Sequence, residues 1–269
     1  ALAHDCGAFV IEDAAQALGA REAGQSVGLR GDLGFFSLAA GKGLSIYEGG
    51  LLVARHDELR SALRSTSATA VPMGRGWEWR RRLELLGLAL LYRPLGLRLA
   101  YGMPLRRALR RGDPVAAVGD RFPDAIPLHR VGGWRRGVGS RAAERLPAFL
   151  AANRERALAR LERLRTLPGV TAFGEREGTT GSWPFLLLTL PQARQASAAL
   201  EELWGAGLGV SRPFIHALPD YAYLAGRVPE APAPRAADFA ARALSISNSH
   251  WLDDEAFERI MEALARHLA

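Results

Sequence analysis

Three short apolar runs near the start of this chain limit its fold more than any other feature. Ala8 to Ile11 is wholly apolar and stops at Glu12 and Asp13; Leu33 to Leu38 follows the glycine-rich GLRGD; Gly49 to Ala54 closes the set. A continuous apolar run predicts a strand covered on both faces, as in a parallel sheet, rather than the alternating pattern of a half-solvated one. Open α/β sheets bind ligands at the carboxyl ends of their strands, so Asp13 is placed to meet a ligand. The same carboxylate equally suits capping of the next turn.

Between the second and third runs lies GKG, and Lys42 is the only lysine; the remaining 34 of the 35 basic residues are arginine. A chain that uses arginine everywhere else marks this as a position where a guanidinium cannot substitute. A primary amine can lose its proton when desolvated, attack a carbonyl and form a Schiff base. The bland alternative is a leftover surface lysine in an arginine-biased composition, and the neighbouring residues decide against it.

At 269 residues, 48% hydrophobic and 23% charged, the composition is that of an ordinary globular chain of one large domain or two modest ones. A single cysteine, Cys6, excludes an internal disulfide framework and a cysteine zinc cluster, and fits a reducing compartment; it reads as a small buried side chain near a strand. No metal site is expected. The sequence has no initiator methionine and no targeting signal, and reads as if cut into running sequence. Its net charge of +7 comes largely from arginines between Arg75 and Arg145, interleaved with Trp77, Trp79 and Trp134. Such a patch suits nucleic acid or anionic lipid, a solvated face, or a surface attracting phosphorylated small molecules.

Further along, Asp57 opens a helix with an acidic first turn. Leu83 to Leu91 and Leu95 to Met103 read as apolar helices flanked by arginine, too short to cross a membrane. They suit a membrane surface, the mouth of a site, or a subunit interface; packing against protein is the favoured reading. Pro114 to Pro127 reads as loop. From Ser140 a long amphipathic helix is predicted, kinked or restarted near Pro147. A strand over Ser182 to Leu190, a helix over Gln192 to Trp204 and a strand at Val210 predict a small α/β domain. In the last helix, from Asp253, Phe257, Ile260, Met261, Leu264 and Leu268 form one apolar stripe that reads as core.

EDAAQALGA, VGLRGDLGFFSL and GKGLSIYEGGLLVARHDEL, in that order, together with VSRPFIHALPDY and FAARALSISNSHWLDDEAFERIMEAL near the C-terminus, resemble the DegT-type (DegT/DnrJ/StrS) sugar aminotransferases. These are fold-type I enzymes that use pyridoxal 5'-phosphate. The resemblance covers both ends of the chain and fades in the middle. It implies that Lys42 holds the cofactor as a Schiff base and shuttles the proton, that Asp13 pairs with the pyridine nitrogen, and that Gln16 contacts the ring's oxygen substituent. It also implies that Ser37 gives a hydroxyl to the phosphate. A buried Gln or Ser satisfied by backbone remains the competing reading for those two residues. Arg212 and His216 become substrate candidates, although a loop histidine packed by its Pro and Phe neighbours reads equally well.

The chain departs from the family pattern at Leu38, Ala39 and Ala40 before the lysine and at Gly43 after it. The family's long N-terminal segment, which cups the phosphate and stacks on the ring, is also expected upstream of EDAAQ and is not in this sequence. The resemblance therefore implies an α/β fold of the aspartate-aminotransferase-like type. Residues 1–139 would form the remainder of the cofactor-binding large domain, with an insertion at about 73–130, and residues 140–269 a small C-terminal domain. It implies amino transfer, from a donor such as glutamate, to a keto group of a nucleotide-linked sugar in cell-surface polysaccharide or secondary-metabolite biosynthesis. The implied protein is a cytoplasmic homodimer that does not bind nucleic acid. Related dehydratases are associated with histidine in place of the lysine, so Lys42 favours transamination. A non-catalytic regulatory or interaction protein of the same fold, or an inactive remnant, is the alternative.

Overall fold

A computed structural model describes residues 2–119, 128–229 and 231–268. These residues fall into two compact units, each with its own sheet system.

The first unit comprises Ala1–Leu90, Ala125–Glu155 and Glu175–Pro184. Its main sheet places strand Leu33–Ser37 between Ile11–Asp13, which runs parallel to it, and Gly50–Ala54, which runs antiparallel. The pairing sets Asp13 opposite Phe35, two residues before Ser37. Both polar residues therefore emerge at the same end of the sheet. Backbone packing is close here: a side chain on Gly34 would come within 2.0 Å of the Gly28 carbonyl oxygen, so only glycine fits. A second small sheet joins Arg21–Glu22, Gln25–Ser26 and Thr179–Thr180.

The first strand is shorter than its apolar run and is not covered as expected. It spans Ile11–Asp13, and Phe9 and Ile11 are 68% and 64% exposed. Among the described residues it pairs along one edge only, with Leu33–Ser37, and nothing packs over the faces that carry Phe9 and Ile11. Cys6, expected inside, is also exposed, because it sits in the turn after the short helix Leu2–Asp5 rather than in the sheet.

Helix Asp57–Ala70 starts where its acidic first turn predicts. Helix Arg75–Leu91 begins eight residues earlier than the apolar run that announced it; its first turns are held by Glu78, which is buried, and by Trp77, whose Nε1 donates to Glu48 at 3.0 Å. The long helix runs unbroken from Gly133 to Leu164 with Pro147 inside it, so it neither waits for Ser140 nor restarts at the proline. The stretch beginning at Pro114 is not all loop: Pro114–Val118 is a helix whose first turn is capped by the Asp113 carboxylate accepting from Ala116 N at 2.9 Å. The rest of that stretch, from residue 120, lies outside the described residues.

The second unit comprises Leu91–Asp124, Arg156–Gly174 and Phe185–Ala269. Its sheet is antiparallel, in the order Thr171–Ala172, Phe185–Thr189, Ala243–Ser247, Val210–Ser211. Helices Ala193–Leu203 and Asp254–Leu268 supply the other layer of the core. Leu186, Leu188, Leu244 and Ile246 from the strands are buried, as are Leu200, Phe257, Ile260 and Leu264 from the helices. Gln192 and Gln195 form a reciprocal capping box at the start of the first helix. Asp253 caps the last by accepting from Ala256 N at 2.8 Å.

Candidate functional site

The sequence-predicted residues Gln16, Ser37 and Lys42 line one cleft of the first unit, together with Ala15, Gly43, Asn153 and Ser182. Topology explains why they meet. Ser37 ends the central strand, Lys42 follows it, and Gln16 follows the parallel neighbour that ends at Asp13.

The loop that carries Lys42 is held at both ends and from beneath. Leu38 N donates to Gly49 O at 2.9 Å, Ile46 N to Leu38 O at 2.9 Å, and Ala40 N to Tyr47 O at 2.9 Å. Leu44 and Ile46 are buried below it. Gly41, at φ +84°, turns the chain just before the lysine in a conformation that suits glycine. Burial lowers the Lys42 ammonium from its ordinary pKa, while the Asp13 carboxylate works in the opposite direction. The amine is thus partly desolvated and has an anion near enough to feel. Asp13 also accepts from Ala15 N at 3.0 Å, so the turn-capping role coexists with the electrostatic one. Ser37 Oγ accepts from Ala39 N at 3.3 Å, which fixes its hydroxyl at the strand end.

A buried ion pair supports the loop from behind. Arg135 is fully buried and Glu78 nearly so; Arg135 Nη2 meets Glu78 Oε2 at 2.6 Å and Nε lies 3.0 Å from the same oxygen. Its remaining nitrogen, Nη1, donates to the carbonyls of Ile46, at 3.3 Å, and Glu48. Burial tends to raise the Glu78 carboxyl, but the Arg135 guanidinium outweighs it and holds the group below its usual range. Part of the arginine-rich stretch is therefore internal. Arg81 stacks over the Trp77 ring at 4.2 Å and pairs with Glu48 at 2.5 Å.

Asn153 and Ser182 were not singled out from the sequence. Asn153 is buried on the long helix, and Ser182 donates from Oγ to the Gln16 carbonyl at 3.2 Å. The signal for Asn153 was a poor helix former inside an Ala/Arg-rich helix. Ser182 sits beside Trp183, at φ +52°, in a segment fixed by Glu175. That carboxylate accepts from Arg154 Nη2 at 2.6 Å, Gly181 N at 2.7 Å and Trp183 Nε1 at 3.0 Å. The Arg154 guanidinium is the main cause of its pKa falling to about 2.

Arg212 and His216 belong to the second unit. Arg212 is half-buried, donates weakly to Ala241 O at 3.5 Å, and leaves Nε without a partner. His216 is exposed and meets Tyr221 edge-on at 5.3 Å.

The fold is that of the fold-type I pyridoxal-phosphate-dependent aminotransferases, as the likeness to solved structures shows. Residues 1–89 match the DegT/DnrJ/EryC1/StrS aminotransferase family, so the resemblance read from the motifs is borne out. MosB of Rhizobium meliloti is 43% identical over 70 residues, 26% of this chain and 14% of that protein. The aminotransferase TlmJ from Streptoalloteichus hindustanus superposes with a TM-score of 0.68 at 22% identity, over 99% of this chain and 60% of its own. DesI, solved in the presence of its TDP-sugar product, gives a TM-score of 0.66 at 20% identity, over 98% and 57%. The chain thus spans about three fifths of the length of these solved structures.

Proposed function

We propose that the chain is part of a pyridoxal-phosphate-dependent aminotransferase that passes an amino group, from a donor such as glutamate, to a keto group of a nucleotide-linked sugar. The observation that carries this reading is the partly desolvated Lys42 in a cleft with Ser37 and Gln16, under the field of Asp13. The residues present fit the cofactor. They include an amine of lowered pKa for its aldehyde, a carboxylate for its ring nitrogen, a hydroxyl for its phosphate and an amide for its ring oxygen. When bound, the cofactor supplies an electrophilic carbon and a ring that accepts electron density.

The chain's own residues do the rest. Lys42 would hold the cofactor through Nζ, and the same amine would take and return the proton at the substrate carbon. Its lowered pKa favours the neutral amine that both roles need. Asp13 would stabilise positive charge on the ring nitrogen. Asn153 and Ser182 complete the wall, and Ser182 fixes the backbone of Gln16. The likeness to DesI, whose product is a TDP-sugar, supports a nucleotide-sugar acceptor, and Arg212 and His216 are proposed as substrate contacts. We place the protein in the cytoplasm as a homodimer, in cell-surface polysaccharide or secondary-metabolite biosynthesis.

The test is the donor half-reaction. With pyridoxal phosphate added, the protein should show a band near the visible edge that glutamate bleaches, with release of the corresponding 2-oxo acid. A folded protein that takes up the cofactor and releases no oxo acid from any amino acid would contradict the reading.

A further inference from the structure

From Leu91 to Gly112 the second unit carries Arg93, Arg98, Arg106, Arg107, Arg110 and Arg111 and no acidic residue. This segment begins just past residue 89, where the family match ends. It folds as a helical run: Pro94–Leu97, a π-helical turn Arg98–Gly102, and Met103–Arg110. Leu95, Leu99 and Met103, at spacings of four, share an outward stripe, and all three are more than half exposed, as is Tyr101. Gly96, Leu97, Leu105 and Leu109 are turned inward, and Arg106 tacks the run to its unit through the Gly205 carbonyl at 3.4 Å. The other five arginines are exposed, and among the described residues no carboxylate pairs with them.

We propose that this face docks on an anionic membrane surface, with Leu95, Leu99 and Met103 entering the headgroup boundary and the flanking guanidiniums binding lipid phosphates. An outward apolar stripe bordered by arginines is the composition of an interfacial helix. Among the described residues no helix is long and apolar enough to cross a membrane, so the contact is superficial. The charge pattern decides against a second copy of the chain. A symmetric pair across this face would set five unpaired arginines against the same five, whereas an anionic bilayer complements them. The sequence alone favoured protein packing; the structure leaves the outward stripe uncovered within its own unit.

Co-sedimentation of the full chain with vesicles of phosphatidylcholine, with and without phosphatidylglycerol, tests this. Binding should require phosphatidylglycerol and fall as salt rises. Leu95→Asp with Leu99→Asp, and separately Arg107→Ala with Arg110→Ala and Arg111→Ala, should each weaken it by at least about tenfold. The arginine variants lie on an exposed face, so they keep their circular dichroism and remain decisive if the aspartate pair unfolds. Equal sedimentation with both vesicle types, or binding that survives both variant sets, overturns the proposal. So does a lipid-free dimer that Leu99→Asp dissociates, which would assign the face to a second copy.

Discussion

Arg135 and Glu78 meet in a fully enclosed, two-point ion pair whose spare guanidinium nitrogen binds the carbonyls of Ile46 and Glu48, at the base of the Lys42 loop. A helix interior thereby fixes the loop that presents the amine. Removing Glu78 leaves the Arg135 guanidinium buried without a counter-ion, and removing Arg135 leaves Glu78 only its long 3.5 Å contact with Arg82, so Arg135→Met or Glu78→Gln should each cost about 3 to 5 kcal/mol in urea unfolding. Replacing both by Met and Leu should recover most of that loss. Equal instability of the double and single variants would show that the pair is not the cause.

The Glu175 carboxylate holds the Ser182 segment against the long helix, and its pKa of about 2 lies well below the ordinary 4.5. A depressed carboxylate contributes its stability above the unfolded pKa and loses it as pH falls through the folded one. Between pH 4.5 and 2 the protein should therefore lose stability from this group. The share is about 2 kcal/mol once screening at the half-exposed Arg154 is allowed for. Glu175→Gln should remove that share at neutral pH and flatten this part of the acid profile in thermal melts. An unchanged profile would contradict the assignment.

Tyr47 stands at φ +74°, in the left-handed region, while its carbonyl accepts from Ala40 and its ring lies 5.7 Å from the Arg81 guanidinium. Tyr47→Gly relieves the backbone and loses the ring, so stability should change by no more than about 1 kcal/mol. Tyr47→Val cannot adopt this conformation easily and should cost about 1 to 3 kcal/mol. Urea midpoints that rank valine level with glycine would rule out backbone strain there.

Some of this site was legible in the sequence because strand ends and glycine turns are local. Asp13, Ser37 and Lys42 lie within 30 residues, each just at or past an apolar run, and one parallel pairing brings them to the same edge. Asn153 was not legible, because only the long helix carries it to the cleft from a distant point in the chain. The role of Arg135 was hidden for a related reason. Among so many arginines it read as surface, and only the approach of Glu78 makes it internal. The exposed Phe9 and Ile11 show the converse limit: an apolar run predicts a wish for cover and does not show that cover is present.

The central claim is that Nζ of Lys42 is the atom that bonds the cofactor. After incubation with pyridoxal phosphate and reduction with borohydride, peptide mass spectrometry should find the stable adduct on Lys42. Lys42→Ala should abolish both the adduct and the absorbance band while leaving the fold intact. An adduct on another amine, such as the N-terminus, with Lys42 unmodified in the folded protein, would contradict the account.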